Sequence, residues 1–83
     1  MAERIITLMT PQPLTLRLAR PDDVAAVRRL AQLDSSRPPS GRVLLAEVGS
    51  EPVAALGVET GTVVANPFCR TADVVAMLRQ AAA

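Results

Sequence analysis

Val43-Leu44-Leu45-Ala46-Glu47-Val48-Gly49-Ser50-Glu51-Pro52-Val53-Ala54-Ala55-Leu56-Gly57-Val58-Glu59-Thr60-Gly61-Thr62-Val63-Val64-Ala65-Asn66 is the stretch from which the fold is read. Val43 to Val48 is almost continuously apolar. Val43 and Leu45 fall on one side of such a strand and Leu44, Ala46 and Val48 on the other, so both of its faces require cover. Gly49-Ser50-Glu51 reads as the connection of a hairpin, after which Pro52 opens a second strand through Val58. Glu59-Thr60-Gly61 is another tight connection and leads into a third strand at residues 62–66. Three strands joined by two short connections make an antiparallel meander.

Upstream, Leu14-Thr15-Leu16-Arg17-Leu18 alternates apolar and polar with period two, which predicts a half-buried strand whose leucine side faces a core. Arg20-Pro21-Asp22-Asp23 starts a helix. Pro21 suits the first helical position, where its missing N–H costs nothing, and the two carboxylates sit at the positive end of the helix dipole. Val24, Val27, Leu30, Ala31 and Leu33 line its buried side, with Arg28 and Arg29 turned outward. Ser35-Ser36-Arg37-Pro38-Pro39-Ser40-Gly41 forms the one long loop, and its paired prolines are expected to break the helix. Downstream, Thr71 is placed to cap a last helix, with Asp73 in its first turn, Val74, Val75, Met77 and Leu78 on the buried side, and Ala81 to Ala83 fraying. Residues 1–13 form an N-terminal arm in which Arg4-Ile5-Ile6-Thr7-Leu8-Met9 has the β-branched content of a short strand. The organisation is therefore an arm at 1–13 and a single domain at 14–83. Its class is α+β, a small antiparallel sheet in the order β-α-β-β-β-α with helices on both faces.

Composition narrows the function classes. The chain has 83 residues, one domain's worth, and is 49% hydrophobic; fourteen of its residues are Ala and Phe68 is its one aromatic, so the core is built from small aliphatic side chains. All nine basic residues are Arg against eight acids, a formal charge of +1, which gives no field to attract nucleic acid or an anionic membrane. His, Tyr, Trp and Lys are absent, which removes most of the usual acid, base and metal-ligand side chains, and no metal site is expected. Cys69 alone closes no intramolecular disulfide; a buried apolar filler is its expected role, since no His is present to activate it as a nucleophile. The proline-broken apolar stretch Ile5 to Leu16 is shorter than a membrane span, and the mixed-charge start resembles no export signal, so a cytoplasmic location is expected.

Three local patterns in this order resemble the GNAT superfamily of acyl-CoA-dependent N-acyltransferases. Leu16-Arg17-Leu18-Ala19-Arg20-Pro21-Asp22-Asp23-Val24 is similar to that family's opening I-R-x-A-x-P-x-D strand and helix. Leu45-Ala46-Glu47-Val48-Gly49-Ser50-Glu51-Pro52-Val53 resembles its central hairpin. Val64-Ala65-Asn66-Pro67-Phe68-Cys69-Arg70 is similar to the V-x-P-x-x-R that leads out of its fourth strand. The resemblance runs from about Thr15 to Leu78 and implies the N-terminal half of the GNAT fold.

It also implies where an acyl-CoA would sit, and there the chain departs from the family. Active members follow the arginine with a glycine-rich segment whose amides and helix N-terminus hold the coenzyme A diphosphate. Here Arg70 is followed by Thr71, Ala72, Asp73, Val74 and Val75, with no glycine. Asp73 brings a carboxylate toward the diphosphate position, where two like charges about 4 Å apart repel by about 1 kcal/mol even in bulk water. Thr71 and Asp73 read instead as the helix capping itself. The family's fifth strand and later elements have no counterpart after this helix, and the tyrosine that often protonates the departing thiolate has none in a chain without Tyr. Glu47 and Glu59 are the nearest candidates for a general base, although acids on strands and turns are far more often simply solvated. Arg70 with Arg37 and Arg42 is a candidate anion cradle, weighed against scattered surface arginines.

These features lead to an expected catalytically silent GNAT-like module that acts through self-association or a protein partner, without cofactor and without acetyl-CoA. The alternative is a minimal N-acetyltransferase, or an acyl-CoA or anion sensor, completed by a partner chain. A sheet ending at residues 62–66 leaves an edge open, so the interface candidates are Thr62, Val63, Val64 and Ala65 at that edge and Ile5, Ile6 and Leu8 in the arm. A homodimer or a heteromeric complex is the expected assembly.

Overall fold

The computed structural model describes residues 13–83. Strand β1 (Leu14–Leu18) is followed by a 3-10 turn (Pro21–Asp23) and helix α1 (Val24–Leu33). Strands β2 (Val43–Val48), β3 (Glu51–Gly57) and β4 (Val63–Ala65) then precede helix α2 (Ala72–Ala82). The strands form one antiparallel sheet in the order β1-β2-β3-β4, the meander foreseen from residues 43–66 with β1 added on the β2 side.

The alternation along β2 divides the core in two. Val43 and Leu45 join Ala55, Val64 and the buried face of α1, namely Val27, Leu30 and Ala31. On the opposite face Ala46, Val53, Ala54 and Leu56 meet Val74 and Leu78 of α2, with Leu16, Leu44 and Val48 packed against them. One helix thus covers each face of the sheet, and the fold is α+β as the sequence pattern implies. Pro52 faces Glu47 across the β2–β3 ladder, where it has no N–H to donate, and the register shifts between Ala46 and Glu47.

The start of α1 follows its sequence closely. Arg20 is extended, Pro21 takes the first helical position, and the Arg20 backbone N–H donates to Asp23 Oδ2 at 2.7 Å. Its end does not depend on the prolines. Ser35 adopts a left-handed conformation at φ +53; its N–H donates to Gln32 O at 3.1 Å and the Ser36 N–H to Ala31 O at 2.8 Å. This pair of bonds is a Schellman stop, and the helix has ended before the chain reaches Pro38.

Four apolar positions lie differently from their expected burial. Val24 on α1 is 49% exposed and Met77 on α2 is 44% exposed, because each stands at the margin of its helix's apolar stripe. Leu14 and Leu18 are 37% and 53% exposed: α2 packs on β2 and β3, so the outer part of the leucine side of β1 has no helix above it. Cys69 is also exposed, held on the turn between β4 and α2 rather than in the core. Among the described residues no helix is long and apolar enough to cross a membrane. Ile5, Ile6 and Leu8, with the rest of the arm through residue 12, lie outside the described residues.

Candidate functional site

Arg17 projects from β1 onto the α1 face and gathers two acids. Its Nη1 and Nη2 donate to Asp23 Oδ2 and Oδ1 at 2.7 and 3.0 Å, while Nε donates to Glu47 Oε1 at 3.0 Å. All three side chains are largely screened from solvent. The fork geometry ties β1 to β2 and to the first turn of α1 in one network. The two bonds from Arg17, reinforced by the Arg20 backbone N–H, hold the Asp23 carboxyl well below the usual carboxylate range. Arg17 is correspondingly raised. The arginine and aspartate of the I-R-x-A-x-P-x-D-like segment therefore have a structural task, invisible in a sequence that separates them by six positions.

The two acids considered as general bases are both engaged. Glu47 is taken up by Arg17. Glu59 accepts Arg42 Nε at 2.6 Å and the Arg42 backbone N–H at 3.0 Å, and these bonds lower its pKa, the guanidinium contributing most. With its charged form stabilised in this way, Glu59 is a poor proton acceptor. Gly41 serves this clasp. It sits at φ +74, and a Cβ there would lie 2.6 Å from Glu59 Oε1.

The segment leading into α2 departs from its expected capping. Thr71 occupies the position before the helix but makes no side-chain cap bond; only its carbonyl is used, accepting the Val75 N–H at 2.8 Å. The self-capping inferred for Thr71 is therefore not formed, since its backbone conformation (φ −116, ψ 2) differs from the extended one that usually aims a cap side chain at the first amides. Asp73 is in the first turn, exposed, as expected. Arg70 is exposed as well. It follows the C-terminal end of β4, at the opposite end of the sheet from Arg42, which precedes β2, so the topology does not bring these two arginines together. Phe68 stands 83% exposed on the same turn, its N–H donating to Asn66 Oδ1 at 2.9 Å.

The two sheet edges differ. Strand β4 is only three residues long, and its bonds to β3 run through Thr62 and Asn66, which leaves Val63 and Ala65 facing outward. The Ala65 N–H is already taken by Asp34 Oδ2 at 3.2 Å. Of the candidates at this edge, Thr62 is exposed, Val63 and Ala65 are half-buried, and Val64 is fully buried in the core. Strand β1 is longer. The Gly49 N–H donates to Pro13 O and the Ala19 N–H to Val43 O, so the odd-numbered residues bond to β2 and Leu14, Leu16 and Leu18 turn their N–H and C=O groups outward. Among the described residues only Leu18 O meets a side chain, Arg17 Nη1 at 3.4 Å. Of these, Leu14 and Leu18 line the part of the sheet face that α2 leaves open, while Leu16 packs against the α2 core. Among the described residues, an unpaired edge and an apolar strip thus coincide on one strand.

Among the described residues no group of His, Cys, Asp or Glu is arranged to hold a metal ion. Comparisons with protein-family models, with curated proteins and with solved structures find no match for this chain.

Proposed function

We propose that this chain is a catalytically silent, GNAT-like module that works by association, pairing the β1 edge with a second copy of itself or with a strand of a protein partner. The observation that carries the reading is the coincidence on β1 of outward backbone groups at Leu14, Leu16 and Leu18 with the part-exposed side chains of Leu14 and Leu18. In a symmetric antiparallel pair centred on Leu16, Leu14 of one chain faces Leu18 of the other, and the two sheets become one. Edge pairing supplies the hydrogen bonds and the leucine strip supplies burial. Engagement of both candidate bases by arginines supports a role without proton transfer. Sedimentation equilibrium of the purified chain tests the self-pairing arm, with a reversible dimer expected. A stable monomer that also fails to pair with any strand peptide overturns the reading.

One observation favours a second reading. Because Thr71 does not cap α2, the first amides of that helix keep no bond from it, and a partner chain packed beside them would complete a site for an acyl-CoA diphosphate. Asp73 and the lack of glycine after Arg70 oppose it. Calorimetric titration with acetyl-CoA separates the two: micromolar binding favours the second, and absence of heat favours the first.

A further inference from the structure

A cavity of about 520 Å³ opens at the end of the sheet where β1 exits and β2 begins, between the first turn of α1 and the loop through Pro38 and Pro39. Its volume lies in the range of small-molecule sites. The walls are mainly aliphatic: Val24 and Val27 from α1, Val43 from β2, and the two proline rings. Val24, half exposed at the margin of the apolar stripe of α1, is part of this lining. The cavity lies at the opposite end of the sheet from the turn that precedes α2, and it shares Leu18 with the β1 edge proposed above for association.

Its rim is basic. Arg20, Arg28 and Arg42 line it, with Asp23 as the acid. Asp23 is satisfied by Arg17, and Arg42 is clasped by Glu59. Arg20 and Arg28 form no ion pair with any described residue. Arg28 lies one helical turn after Val24, and side chains on a helix lean toward its N-terminus, so its guanidinium is carried back over the Val24 side of the mouth. Arg20 approaches from the other side, just before the helix begins. Two cations without an acidic partner among the described residues, at the mouth of an aliphatic cleft, suit one chemical class.

The geometry points to a binding site for a small amphipathic acid, a carboxylate on a short unbranched hydrocarbon chain, with the chain against Val24, Val27 and Pro39 and the carboxylate between Arg20 and Arg28. Neither part suffices alone. An anion without a tail leaves the aliphatic wall wet, and a tail with a cationic head meets the arginines.

Octanoate is the probe, titrated into the full chain while backbone amide shifts are followed by NMR. Saturable shifts at Val24, Val27 and Ser40 are expected, with acetate and octylammonium each at least about tenfold weaker. Arg28→Gln and Arg20→Gln should each weaken octanoate about tenfold, the worth of one charge-assisted hydrogen bond. Arg79→Gln, on exposed α2, should change nothing, and both rim positions are exposed, so the fold is preserved. Equal binding of octanoate and octylammonium would overturn the site as an acid site. So would octanoate shifts confined to residues outside the cleft, affinity indifferent to both arginine replacements, or no saturation at millimolar octanoate.

Discussion

Leu14→Lys separates association from the stability of one chain. Leu14 and Leu18 leave 37% and 53% of their surfaces exposed, together about nine-tenths of one leucine. Burying a leucine fully is worth about 1.5–3 kcal/mol, so a symmetric pair of β1 edges stands to gain about 3–5 kcal/mol from these side chains, with the new ladder of hydrogen bonds in addition. Lysine keeps an aliphatic stem to cover what Leu14 already covers, and it brings a charge of the kind that guards natural sheet edges. The exposed share of Leu14 is lost twice in a symmetric dimer, about 1–2 kcal/mol, and the desolvated charge adds to that. The dimer dissociation constant should therefore rise by about 10- to 100-fold in sedimentation equilibrium. The urea midpoint of the dissociated chain should fall by no more than about 1 kcal/mol equivalent. Unchanged dimer affinity in Leu14→Lys would place the interface elsewhere and refute the reasoning.

Other consequences follow from single contacts. Leu78 is fully buried where α2 meets the sheet, so Leu78→Ala should lower unfolding free energy by about 2–5 kcal/mol, whereas Met77→Ala one position earlier should cost less than about 1 kcal/mol; denaturant titration distinguishes them. Ser35 holds a left-handed conformation that glycine adopts freely, so Ser35→Gly should gain about 0.5–1 kcal/mol and Ser35→Val should lose more than that, read as opposite shifts in melting temperature. The Asp23 carboxyl is depressed in the folded chain by Arg17 and the Arg20 backbone N–H, so its stabilisation is whole above the unfolded value of about 3.9 and drains away as pH falls below it. Asp23→Asn should therefore be less stable than the unsubstituted chain at neutral pH, with the gap closing below about pH 4 in urea midpoints. Gly41→Ala should destabilise and loosen the Arg42–Glu59 clasp, seen as a rise of the Glu59 pKa by NMR titration.

The meander was legible because its signals are local. Two short connections bound three apolar runs, and the alternation within Val43–Val48 assigns each side chain to the helix that covers it. The beginning of α1 was equally plain, since Pro21 and Asp23 act on their own turn. What periodicity does not carry is the extent of cover. A leucine face on β1 implies a core, yet whether a helix reaches it depends on where α2 lies across the sheet, and it stops over β2 and β3. The Schellman stop escaped because serine, not glycine, takes the left-handed position, so the prolines looked decisive. Arg17 escaped because its partners come from a turn and a neighbouring strand. The cleft could not be foreseen, because Arg20 and Arg28 meet Pro38 and Pro39 only after the long loop folds back to β2.

Amide hydrogen exchange along β1, followed as the chain is diluted, tests the proposed association most directly. Thr15 and Arg17, bonded to β2, should be protected at every concentration. Leu14, Leu16 and Leu18 should exchange rapidly in dilute solution and become protected together as concentration rises or a partner strand is added. Amides at these three leucines that stay unprotected throughout, while those at Val63 slow instead, would contradict it.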